Sequence, residues 1–137
     1  MACKNARPDN EPRAYVSDMT HFLDENGLAP MGMPKEFYAM LDYHSAVVKA
    51  GSSHPGNIQF TSAIPCRRRP GRKPCGTYLT IANRPDGIIQ WQCPNCGEQG
   101  FISNWQGTIY DLSGVAELDS SQRVSVMIKH DEYKLLR

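Results

Sequence analysis

Four cysteines between residues 66 and 96 constrain this chain more than any other feature. Cys66, Cys75, Cys93 and Cys96 are spaced C-x8-C, then seventeen residues, then C-x2-C. Two residues between cysteines let both sulfurs converge on one tetrahedral ion at about 2.3 Å. Gly97, directly after the second pair, permits the positive-φ turn that aims backbone N–H groups at the thiolates. A redox Cys-x-x-Cys should open a helix, where the dipole lowers the thiol pKa, whereas alternating sequence flanks this one on both sides. The opening Met1-Ala-Cys-Lys-Asn-Ala-Arg-Pro8 has no apolar h-region, so an export signal, and the disulfides that go with export, are not expected. Iron of the rubredoxin kind wants two short knuckles, and only one is present. The expected cofactor is therefore zinc on Cys66, Cys75, Cys93 and Cys96, with His54 or His44 in place of Cys66 or Cys75 as the alternative. Cys3, in a polar tail, reads as an exposed free thiol.

The chain has 137 residues, 40% apolar and 21% charged, which suits one soluble α+β domain with tails. No apolar run approaches the roughly 18 residues that span a bilayer, so a membrane partner is not expected and the location is expected to be cytoplasmic. Residues 1–33 read as a flexible or loosely packed N-terminal segment broken by prolines, with Ser17 to Glu25 as one or two helical turns capped by Ser17 or Asp18 and stopped at Asn26-Gly27. Residues 34–57 read as a helix and linker. Pro34 opens the helix, Phe37, Met40, Leu41, His44, Val47 and Val48 form one apolar stripe, and Gly51 ends it. Residues 58–113 read as a β domain, with strands at 58–64, 77–83, 88–92 and 100–105. Arg84-Pro-Asp-Gly87 forms a turn between the second and third, and 108–113 an extended closing segment. Residues 114–137 read as a C-terminal strand over 123–129 and a short helix over 130–137. The fold expected is a small antiparallel sheet with one helix packed on it. Zinc serves as a staple, because so small a sheet buries little apolar surface.

Charge is unevenly placed. Residues 1–63 carry net −2, residues 64–105 net +4, and residues 106–137 net −1. The surplus centres on Arg67, Arg68, Arg69, Arg72 and Lys73, between the first two cysteines. A Zn²⁺ with four thiolates is formally −2, so part of this charge can balance the metal. Five cations exceed that need, and Pro70-Gly71 would turn them out as a finger suited to phosphate contacts. Trp91, Trp105 and Phe101 then offer either a stacking face for bases or the aromatic cover of a small core.

A hairpin that gives one cysteine pair at its turn, with a second pair from a neighbouring loop, resembles the zinc-ribbon superfamily over about residues 64–105. The run through Cys66-Arg-Arg-Arg-Pro-Gly-Arg, Trp91-Gln-Cys-Pro-Asn-Cys-Gly, Gly100-Phe-Ile-Ser and Tyr110-Asp-Leu also looks like a functionally uncharacterised family of small bacterial ribbon proteins. That resemblance implies the fold and the zinc and carries no mechanism. The eight-residue first spacing departs from the usual two to four.

Nothing in the sequence argues for an enzyme. Four cysteines would close the coordination that a catalytic zinc leaves open, and no phosphate loop or nucleophile motif is present. His44 reads as a packing histidine, and Tyr110 and Asp111 as structural. The leading expectation is a non-enzymatic zinc module contacting DNA or RNA through Arg67, Arg68, Arg69, Arg72, Lys73, Trp91 and Trp105. The alternatives are a protein-interaction adaptor using the acidic helix region or segment 124–130, with the zinc ribbon as scaffold, and a small hydrolase or redox protein with His54 or Cys3 beside the metal and a concave pocket.

Overall fold

The computed structural model describes residues 13–54, 58–69 and 72–114. The expectations for Cys3, for the turn at Pro70-Gly71, for the strand over 123–129 and the adaptor edge it would supply, and for the helix over 130–137 lie outside those residues. One helix packs on a five-stranded mixed sheet, an α+β arrangement. The helix, α1, spans Lys35–Ser52, and the strands are β1 Ala14–Asp18, β2 Gln59–Pro65, β3 Tyr78–Asn83, β4 Ile89–Gln92 and β5 Gln99–Ser103. Their spatial order is β1-β5-β4-β3-β2. β2 to β5 pair antiparallel, while β1 runs parallel to β5 at the edge. No helix among the described residues is long and apolar enough to cross a membrane.

Pro34 stands just ahead of α1 in extended conformation, and the helix buries Leu41, His44, Val47 and Val48 as the stripe predicts. Met40 departs from it: the side chain is 49% exposed. Gly51 does not end the helix. It lies inside the last turn, where a Cβ would meet Ile89 Cγ2 at 3.0 Å and Ile81 Cγ2 at 3.2 Å. Its role is to let the helix approach the sheet, and Ser53 makes the cap.

Alternation puts Leu79, Ile81, Ile89, Trp91 and Ile102 on the helix side, all buried, each fully buried aliphatic contributing about 1.5–3 kcal/mol. One row across the sheet reads Ile81, Trp91, Gly100, Tyr15. The β3–β4 connection is the turn expected from Arg84-Pro-Asp-Gly87, with Gly87 at φ 85° and its N–H donating to the Arg84 carbonyl at 3.0 Å.

Two segments differ from the sequence reading. Ser17 and Asp18 complete β1, and Asp18 also caps the single turn that follows it, as expected. Only Met19–Phe22 coils, as a 3₁₀ turn whose Thr20 N–H donates to the Asp18 carboxylate. The closing segment 108–113 is a set of turns and not extended chain. Asp111 accepts hydrogen bonds from the Gly107 and Ser113 N–H groups, both at 2.8 Å, and Tyr110 and Leu112 are buried.

Candidate metal centre and adjoining pocket

The β2–β3 connection, called the finger below, is described over residues 66–69 and 72–77. The Cys66 N–H donates to the Thr77 carbonyl and the Cys75 N–H to the Arg68 carbonyl, both at 2.8 Å, so the hairpin continues past the strands and sets the two sulfurs side by side. The β4–β5 connection is a knuckle. Cys93 N–H donates to the Glu98 carbonyl at 2.7 Å, and Gly97, at φ 79°, donates to the Cys93 carbonyl. The strand order places these connections at the same end of the sheet. The four ligand atoms of Cys66, Cys75, Cys93 and Cys96 all lie within 4.8 Å of one another.

The spacing fits a metal. A tetrahedral ion bound at about 2.3 Å places its sulfurs about 3.8 Å apart. Cys66 and Cys96 lie 3.7 Å apart and Cys75 and Cys93 3.6 Å. The donor set fits as well. Cys66, Cys75 and Cys93 each receive a backbone N–H from two residues on, from Arg68, Thr77 and Asn95. The Asn95 side-chain amide, with that Thr77 N–H, holds the Cys75 thiol down at about 6. Burial pushes the Cys66 and Cys93 thiols up. A divalent cation is the charge that such buried sulfurs need to ionise. His44 is not part of the cluster. Its Nδ1 bonds the Met40 carbonyl at 2.9 Å and its Nε2 the Ser17 hydroxyl at 3.0 Å. His54 stacks on Phe60 with centroids 3.6 Å apart, and its Nδ1 bonds the Ala50 carbonyl.

The finger's basic residues divide. Arg68 folds inward, its side chain and that of Glu98 being 8% and 9% exposed, with Nη1 to Oε2 at 3.1 Å. Arg67, Arg69, Arg72 and Lys73 are exposed. The Arg67 guanidinium lies 4.8 Å over the Tyr43 ring, and Arg69 donates to the Arg72 carbonyl at 2.9 Å. Trp91 and Trp105 are 5% and 4% exposed, at opposite ends of the sheet. Trp105 gives its indole N–H to the Gly87 carbonyl at 2.8 Å, away from the cysteines and the finger. Phe101 sits apart from both tryptophans, under the Arg84 guanidinium.

Beside the cysteines opens a cavity of about 390 Å³, and Trp91, Cys66, Arg67, Arg68 and Arg69 all line it. Four further lining residues, Arg13, Tyr15, Tyr43 and Glu98, are absent from the sequence reading. Tyr15 stacks against Trp91 with centroids 6.1 Å apart and planes 20° apart, and Tyr43 meets Trp91 edge-on at 5.8 Å. Glu98, 7% exposed, accepts hydrogen bonds from the Arg13 N–H, the Tyr15 hydroxyl and Arg68. One signal was visible beforehand: Glu98 is one of two acids in the basic block 64–105, and it adjoins the knuckle.

No protein-family model, curated protein or solved structure matches this chain. The chain carries a cluster of four cysteines that can bind a metal ion, at one end of a mixed sheet.

Proposed function

We propose that this chain is a non-enzymatic structural-zinc module of the ribbon type that contacts DNA or RNA through the finger between Cys66 and Cys75. Four thiolates complete a tetrahedron and leave no position for a reacting water. Cys66, Cys75, Cys93 and Cys96 would hold the ion, which supplies the charge and cross-link that fix finger and knuckle together.

The observation that carries the nucleic-acid reading is the division of the finger's charge. Arg68 is committed to Glu98, while Arg67, Arg69, Arg72 and Lys73 face solvent without a carboxylate partner among the described residues. Exposed cationic groups on a loop closed at its base by the Cys66–Thr77 and Cys75–Arg68 backbone hydrogen bonds match the spaced negative charge of a phosphate backbone. The test is a fluorescence-anisotropy titration with short DNA and RNA from about 50 to 200 mM salt. Binding should weaken steeply as salt rises, and replacing Arg72 and Lys73 by Gln should lower affinity and flatten that dependence. Absence of binding at 50 mM salt would overturn the reading.

A further inference from the structure

We infer that the cavity beside the cysteines takes one unpaired nucleobase of a single strand, with the finger holding the phosphates on either side. The inference rests on the nucleic-acid reading and names its substrate class: single-stranded DNA or RNA with a base free to leave the stack.

Three observations converge on it. First, the walls are aromatic and come from three separate elements: Tyr15 from β1, Tyr43 from α1 and Trp91 from β4, the last two meeting edge to face. Such surfaces accept any base, because every base offers a π-face. Second, the lining is cationic. Arg13, Arg67 and Arg69 contribute to it, and the one lining carboxylate, Glu98, is occupied by Arg68, Tyr15 and the Arg13 N–H. An apolar, neutral or cationic occupant would leave those guanidinium groups unmatched, whereas a nucleotide brings a flat ring and an anion together. Third, the volume of about 390 Å³ falls in the small-ligand range of roughly 300–1,000 Å³, and the cavity is continuous with the finger through Arg67, Arg68 and Arg69. A paired base inside a duplex cannot reach such a recess without being flipped out, at a cost of a few kcal/mol.

The structure also supplies a reporter. The chain has two tryptophans, both largely buried: Trp91 lines the cavity, while Trp105 lies at the other end of the sheet against Gly87. A base stacked in the cavity should quench the emission of Trp91 without any substitution in the protein.

The experiment compares three oligonucleotides of equal length on the zinc-loaded full chain: a single-stranded DNA, the same backbone made wholly of abasic sites, and a blunt-ended duplex with no unpaired base. Anisotropy and tryptophan emission are read together. The single strand should bind roughly tenfold or more tighter than the abasic strand and quench the emission, as the loss of a base–aromatic contact predicts. The abasic strand and the duplex should bind through phosphates alone and leave the emission unchanged. Tyr43→Leu, checked for native circular dichroism and zinc content, should shrink the ratio of single-strand to abasic affinity; an unchanged ratio would remove Tyr43 from the site. Equal affinity for single and abasic strands, with unchanged emission, would overturn the inference while leaving the finger's phosphate contacts standing. Failure of all three to bind at low salt would overturn both.

Discussion

The Trp91 indole lies flat across the backbone of Gly100, its partner in the β4–β5 register. A Cβ at Gly100 would fall 2.3 Å from the indole Nε1 and Cε2. The missing side chain on β5 lets the ring extend from β4 toward Tyr15 on β1, so this glycine sets the position of an aromatic wall. Gly100→Ala must displace the ring. Overpacking of this kind costs typically 1–3 kcal/mol, and denaturant melts should show a loss in that range. The cavity should change with it, so tryptophan emission should shift in the same variant. A variant with unchanged stability and emission would show that the ring does not depend on that gap.

Metal removal should loosen one end of the molecule first. Cys66 and Cys93 are part of the buried core, so losing the ion leaves four sulfurs crowded together with nothing to hold them. Elemental analysis should give one zinc per chain, and Cys93→Ser should abolish it. Stripping with a chelator should lower the melting temperature by more than about 10 °C. A metal-free protein that melts where the loaded one does would remove the staple from this account.

Acid should destabilise the fold through His44. Burial holds its pKa below the ordinary value near 6.5, and Arg67 acts in the same direction, while the hydrogen bond to the Met40 carbonyl opposes them. The unfolded chain therefore binds a proton that the folded chain refuses. Stability is intact above about pH 6.5 and falls as pH drops from there toward the depressed folded value. Denaturation at pH 7.5 and 5.5, with zinc content followed in parallel, should show a smaller loss for His44→Gln than for the wild type. Identical losses would assign the acid sensitivity to other groups.

Much of the fold was legible because its signals are local. The stripe from Leu41 to Val48 declares a helix, and the alternation around Ile81, Ile89 and Ile102 declares strands. The cysteine spacing selected the four residues that the fold gathers. β1 was missed because Ala14 to Asp18 is short and follows a proline-broken tail, and it becomes a strand only by pairing with β5. Gly51 read as a stop because a glycine near a helix end usually is one. The reason it stays helical, contact with Ile89 and Ile81, lies across the core. The pocket had no local signal, since Tyr15, Tyr43, Trp91 and Glu98 sit on four different segments.

Glu98 ties segments far apart in the chain into one corner of the fold. Its carboxylate joins the Arg13 backbone, the Tyr15 hydroxyl and Arg68 across sequence separations of 85, 83 and 30 residues. Contacts closed over such distances form late, after the local hairpins have lowered the entropy of bringing their ends together. β1 has no partner until β5, its neighbour in the sheet, is in place. The docking of β1 on β5 is thus the step that brings Tyr15 against Trp91, and the aromatic wall is complete only once that edge of the sheet has closed.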